Sequence, residues 1–218
     1  KHKKNIPAIG GILLFINIFL FFVFFIFNKN LFLNNLKFFL NFNEFIFFFI
    51  TYFMFLCKGV LDDLKNINAN LKFFLSILFI IFLLYFDEKV LLKFLIFNDA
   101  DLKIDLLWTK SFFTIFCFVV FINAMNMFDG INLQASLYSI VILLFIILNL
   151  GVDYLLLVIL IFLFFFIFLN YKSKCFLGDG GSLTLGFVIS YFFVKSYNID
   201  EKILCDEIFL IMLIPGLE

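Results

Sequence analysis

The sequence predicts an all-α fold, a polytopic transmembrane helical bundle of about eight spanning or near-spanning helices. Apolar runs recur along the whole chain, 65% of its residues are hydrophobic at a mean hydropathy of +1.17, and only 15% are charged. A soluble core does not require that much apolar surface. The 41 Phe and the complete absence of Arg show a bias in which residue of a class is used. Such a bias does not create runs of spanning length. Formal net charge is zero, so no basic surface points to nucleic acid. Cys57, Cys117, Cys175 and Cys205 are scattered without a Cys-x-x-Cys spacing, which indicates neither zinc nor a disulfide framework.

Taken in order, the first run, 7–27, is long enough to cross a bilayer, which needs roughly 20 residues. After an Asn-rich stretch from Asn28 to Glu44, the run 45–59 leads into Asp62-Asp63. The run 71–86 follows, and then a polar connector from Asp87 to Lys110 whose Trp108 suits an interfacial belt. The run 111–127 merges into a polar segment from Asn123 to Asp129. Runs 136–150 and 154–170 precede the Gly-rich turn Phe176-Leu177-Gly178-Asp179-Gly180-Gly181-Ser182. Runs 183–197 and 203–214 close the chain, the last being the weakest because Asp206 and Glu207 sit inside it. No internal repeat or soluble domain is visible, so residues 1–218 read as one integral-membrane domain.

Parity places the polar motifs together. With the basic Lys1-His2-Lys3-Lys4 end in the cytoplasm, pairs of crossings return the chain to the same face at Asp62-Asp63, at Asp129 and at Asp179. The 16 Lys divide equally between the faces in this topology, so orientation rests on the motifs. Carboxylates beside hydrocarbon are costly and are kept there for ions, protons or phosphates.

Oxygen ligands on helix ends suit Mg²⁺, which takes one or two carboxylates together with substrate phosphates. Phosphoryl transfer needs mainly positioning and charge neutralisation. His2 is the only histidine, which disfavours Ser or Cys triad chemistry. Asn123, Asn126 and Asp129 are spaced by three, so on a helix they point into one half of the cylinder and can converge on one ligand. The plainer reading of the two Asn is hydrogen bonding between helices. Asp62 and Asp63 lie about 100° apart on a helix and divide their labour; Lys65 and Lys72 either neutralise them or meet phosphate. In the Gly-rich turn, three glycines let backbone approach a ligand, with amides facing an anion at the start of the next helix.

Four motifs in this order resemble one family. Ile6-Pro7-Ala8-Ile9-Gly10-Gly11, Gly59-Val60-Leu61-Asp62-Asp63, Asn123-Ala124-Met125-Asn126-Met127-Phe128-Asp129-Gly130-Ile131-Asn132 and Phe176 to Ser182 are similar to the signatures of polyprenyl-phosphate N-acetylhexosamine-1-phosphate transferases. Asn132 and the Gly-Asp-Gly-Gly turn resemble the WecA-like branch, which starts O-antigen and related glycans, more than the MraY-like branch of peptidoglycan synthesis. The resemblance implies transfer of an N-acetylhexosamine-1-phosphate, GlcNAc-1-phosphate above all, from a UDP-N-acetylhexosamine to undecaprenyl or another polyprenyl phosphate. UMP is released, and the cofactor is Mg²⁺, with Mn²⁺ as its substitute. It implies Asp179 and Asn126 as metal ligands, Asp62 as base or acceptor-positioning group with Asp63 as its partner, and Lys4, Asn123, Asp129, Asn132 and Gly178 near the substrates. It further implies a plasma-membrane enzyme working at the cytoplasmic face of the lipid bilayer, compatible with a homodimer. A membrane helix before Lys1 and a His-containing segment beyond Glu218 are expected, so activity belongs to the full-length protein. The alternatives are phospho-N-acetylmuramoyl-pentapeptide transfer and, from another class, an ion- or proton-coupled transporter with acids at mid-membrane.

Overall fold

The computed structural model describes residues 6–28, 36–97, 102–131, 133–200 and 203–217. Within these residues the chain forms eight α-helices: α1 (Gly10–Phe27), α2 (Phe42–Lys65), α3 (Ala69–Phe86), α4 (Lys110–Phe128), α5 (Gln134–Leu150), α6 (Tyr154–Tyr171), α7 (Gly178–Asp200) and α8 (Cys205–Leu213). Each apolar run is a helix. Five of the described helices, α1, α2, α3, α4 and α6, are long and apolar enough to cross a membrane, and the protein is a polytopic all-α membrane protein.

The bundle is organised around α7. Every residue from 180 to 197 is buried, with α1, α2, α4 and α5 packed about this helix. Enclosure explains why α7 carries Ser182, Thr184, Ser190, Lys195 and Ser196, all of them buried. These side chains meet protein instead of lipid. The outer helices do the reverse and expose Phe27, Phe116, Leu148 and Phe165. Between lipid-embedded helices, association comes from close packing and dispersion, because lipid is as apolar as the core. Phe rings supply much of it: Phe55 and Phe48 of α2 stack on Phe187 of α7 with centroids 5.2 and 5.4 Å apart.

Two glycine contacts set how closely the helices meet. A Cβ on Gly59 would lie 2.4 Å from Gly180 Cα, and one on Gly11 would lie 2.4 Å from Gly181 N. Backbones of α1 and α2 therefore touch α7 directly, both at its first turn. Just before it, Gly10 N and Gly11 N donate to Phe176 O and Leu177 O, and Phe176 N donates to Pro7 O, at 2.9, 3.0 and 3.0 Å. This backbone ladder docks the first sequence motif onto the last.

The connector expected between Asp87 and Lys110 has structure of its own. Strands β1 (Phe94–Phe97) and β2 (Leu102–Asp105) pair antiparallel, with Phe94 opposite Asp105. Tyr197 near the end of α7 pins the hairpin, its hydroxyl accepting from Ile96 N at 2.7 Å and donating to Phe94 O at 3.2 Å. At the same end Lys195 Nζ binds Glu44 Oε2, Asp87 Oδ2 and the Tyr191 hydroxyl at 2.7, 2.8 and 2.7 Å. This buried network ties α2, α3 and α7 together. Asp206 and Glu207, which weakened the last run, occupy the first turn of α8, where Glu207 accepts from Leu204 N at 3.1 Å. Acids are favourable there because the helix dipole presents its positive end.

Candidate active site

The motifs meet at the opposite end of the bundle. α2 ends after Lys65 because Asn66 turns into the left-handed region at φ 48°, its N–H closing on Asp62 O. Asp62 and Asp63 therefore sit in the last turn of α2, and their side chains leave in different directions. Asp62 is 1% exposed, pairs with Lys72 of α3, and accepts from Ile67 N at 2.8 Å. Asp63 reaches across to the start of α7, where Oδ1 accepts from Asp179 N at 3.0 Å and Oδ2 from Gly180 N at 3.2 Å.

The anion expected at the Gly-rich turn is thus supplied by the chain itself. Asp63 satisfies amides that α7 could not bond internally and places negative charge at the positive end of its dipole. Gly178 makes this geometry accessible. Its φ is +73°, and a Cβ there would lie 2.8 Å from Asp63 Oδ2. The two adjacent carboxylates thus have different partners, one a lysine and the other two amides.

Asp179 emerges from the first turn of α7 with its carboxyl in hydrogen-bonding reach of Asp62. Behind it, Ser182 donates to Asn126 Oδ1 at 2.5 Å, which draws α4 into the site. Asp129, just beyond α4, is raised to about 7, first by burial and then by the charges of Asp179 and Asp63. Asn123 is different: its amide donates to Val119 O of its own helix at 2.7 Å. Lys4 and Asn132 lie outside the described residues. Lys65 is exposed and Lys72 is the one that reaches Asp62.

Three residues join the site without having been singled out in the sequence. Lys58 lies one turn before Asp62, is 3% exposed, and donates to Ser76 Oγ of α3 at 2.5 Å. Ser182 anchors Asn126 as described. Asn170, at the end of α6, accepts from Leu133 N and donates to Cys175 O, both at 2.9 Å, so one side chain ties the turn after Asp129 to the segment entering the Gly-rich turn. The helical spacing of Lys58 and Asp62 was a usable signal. The long-range partners of Asn170 left none.

A cation fits these residues chemically. Asp62 and Asp179 approach each other, and Asp129 is held partly protonated by its neighbours, so negative charge is gathered with one direct ion pair, to Lys72. All candidate donors are oxygens, the preference of a hard divalent ion. Among the described residues, no group of three or more His, Cys, Asp or Glu is arranged as a closed metal cage.

Away from the cluster, toward the hairpin end of the bundle, α4, α7, α8 and β1 line an apolar cleft of about 240 Å³ whose residues include Phe116, Phe121, Val194, Ile208 and Met212.

Fold and site together define a membrane-embedded protein with a cluster of acidic residues at one end of its bundle. Residues 45–197 match glycosyl transferase family 4, and the chain belongs to that family. Membership makes it a transferase, with the general activity of moving a sugar-1-phosphate to a polyprenyl phosphate. No curated protein matches the chain.

Proposed function

We propose that the full-length protein transfers an N-acetylhexosamine-1-phosphate, GlcNAc-1-phosphate first among candidates, from its UDP-sugar to a polyprenyl phosphate such as undecaprenyl phosphate. UMP is the product, and the reaction faces the cytoplasm in the cell's inner membrane and initiates a cell-envelope glycan. The observation carrying this reading is the convergence of Asp62 and Asp179 on one point, with Asp63 holding the turn that bears Asp179.

Asp179 and Asn126 would hold Mg²⁺ or Mn²⁺, whose charge offsets that of the sugar diphosphate. Asp62 orients the acceptor phosphate and takes any proton it carries; a phosphate oxygen is already ionised near neutrality and attacks without further activation. Lys72, paired with Asp62 and 29% exposed along its side chain, can turn to that phosphate. Asp129 lies where nucleotide or diphosphate would bind. The apolar cleft suits the prenyl chain, which would approach from the bilayer while the nucleotide enters from water.

Membranes containing the full-length protein, supplied with polyprenyl phosphate and radiolabelled UDP-GlcNAc or UDP-GalNAc, test this directly. Lipid labelling that depends on Mg²⁺ and disappears in Asp179→Asn is expected. Undiminished labelling in that variant removes the metal role. Asp62→Asn lowers turnover far more than UDP-sugar affinity, and an equal loss of both assigns Asp62 elsewhere. Preference for UDP-N-acetylmuramoyl-pentapeptide would move the protein to the peptidoglycan branch.

A further inference from the structure

Lys58 is the charged group of the cluster to which the proposed reaction gives no task. Its ammonium donates to Ser76 Oγ at 2.5 Å and lies 5.0 Å from the centre of the Phe55 ring. Ser76 in turn donates to Lys72 O at 2.9 Å. Lys58 with Ser76, and Asp62 with Lys72, are successive rungs between antiparallel α2 and α3, four residues apart on each helix. The carboxylates whose charges act on Lys58 are Asp62 and Asp179.

A buried ammonium is costly, and one hydroxyl with one ring face does not replace its water. Apolar side chains of similar length would pack in the same slot. The charge therefore answers other charge. Among the described residues, buried Asp62 and half-buried Asp129 and Asp179, with exposed Asp63 beside them, face the charges of Lys58 and Lys72. These two lysines differ in freedom: Lys72 is 29% exposed along its side chain, whereas Lys58 is 3% exposed. One can swing, and the other is fixed.

We propose that Lys58 is a positioning residue for the acceptor phosphate, a fixed internal ammonium that keeps positive charge beside Asp62 when Lys72 turns from Asp62 to the incoming phosphate. This rests on the transferase reading above. Without Lys58, moving Lys72 would leave Asp62 uncompensated as a further anion arrives. The lysine pair thus works as a relay: Lys58 holds the carboxylate, Lys72 engages the lipid.

The test compares wild-type, Lys58→Met and Lys58→Arg full-length proteins in nanodiscs. Binding is measured for undecaprenyl phosphate and for undecaprenol, its neutral counterpart, alongside KM for both substrates. Lys58→Met is expected to weaken undecaprenyl phosphate binding about tenfold, the loss of one charge-assisted contact. KM for the lipid rises in parallel, while KM for the UDP-sugar and affinity for undecaprenol stay unchanged. Lys58→Arg keeps the charge and recovers most of the affinity. Lys58 donates to Ser76 and Asp62 keeps its own ion pair with Lys72, so Met in place of Lys58 is expected to leave the melting midpoint near that of wild type, which separates the effect from misfolding. Equal binding by wild type and Lys58→Met, a matching loss for undecaprenol, or failure of Arg to rescue would each overturn the assignment. Binding is read apart from turnover: wild-type protein that binds the lipid phosphate but transfers no sugar ends the transferase reading and leaves the Lys58 assignment standing.

Discussion

Gly59→Ala places one methyl group at the crossing of α2 and α7. The new Cβ would lie 2.4 Å from Gly180 Cα, 2.5 Å from Gly180 N and 2.6 Å from the carbonyl carbon of Asp179. All three are backbone atoms, so no side-chain rotation relieves the contact. Carbon atoms pack at about 3.5 Å or more, so the helices must part by about 1 Å. Asp62 and Asp63 occupy the next turn of α2 and move with it. The bonds from Asp179 N and Gly180 N to Asp63, now 3.0 and 3.2 Å, would stretch beyond useful length. Overpacking costs about 1–3 kcal/mol, and losing the Asp63 cap from a partly exposed helix start adds about 1 kcal/mol. For catalysis, a misplacement of about 1 Å lowers the rate on the order of 100-fold. Sugar-phosphate transfer to polyprenyl phosphate and the melting midpoint in detergent measure the two losses. Gly216→Ala, whose methyl meets nothing within 4 Å, provides the stability control and leaves the midpoint unchanged. Wild-type turnover and stability in Gly59→Ala would refute the view that backbone contact sets the spacing of the carboxylates.

Asp63→Ala removes the cap from α7 and is expected to cost about 1–2 kcal/mol in detergent unfolding, with Asp63→Asn losing less because it keeps one acceptor oxygen. Lys195→Met leaves Glu44 and Asp87 facing each other without their common partner, so a loss of about 3–5 kcal/mol is expected in the same assay; adding Glu44→Gln and Asp87→Asn recovers most of it. For Asp129, the folded value of about 7 lies above the ordinary 3.8, so the folded state holds the proton more tightly and this group's contribution to stability falls as pH rises from about 4 to about 7, then stays level. The difference in melting midpoint between wild type and Asp129→Asn, taken in EDTA from pH 4 to 8, should follow that slope; a difference independent of pH would count against it.

The eight helices were legible because each is lined by apolar residues, and that signal survives any bias toward Phe. Helix ends were less so. The run ending at 59 continues as helix to Lys65, since Lys58 and Asp62 are polar residues with partners across α3, not the start of a loop. Likewise α7 begins at Gly178, before its apolar run, because a carboxylate from another helix satisfies its first amides. Sequence alone places Asp63 near Asp62 but carries no record of the distant turn it caps. The hairpin was hidden for a related reason. Its two four-residue strands are held by Tyr197, about a hundred positions away. Asn126 meets Ser182 of α7 and Asp129 feels the charges of Asp179 and Asp63, whereas Asn123 spends its amide on its own helix, an option open to any Asn in a helix.

The enclosure of α7 has a bearing on how the molecule is made. A segment carrying Lys195 and several hydroxyl groups enters lipid poorly, since a lysine costs up to roughly 2.5–3.5 kcal/mol, the value at the centre of an inserting helix. It is synthesised after α1 through α6, and those helices include all four that surround it. The nascent chain must therefore keep a vacant slot along its axis until the seventh helix leaves the ribosome. Translation halted in that interval would yield a hollow intermediate, a ready substrate for membrane quality-control proteases.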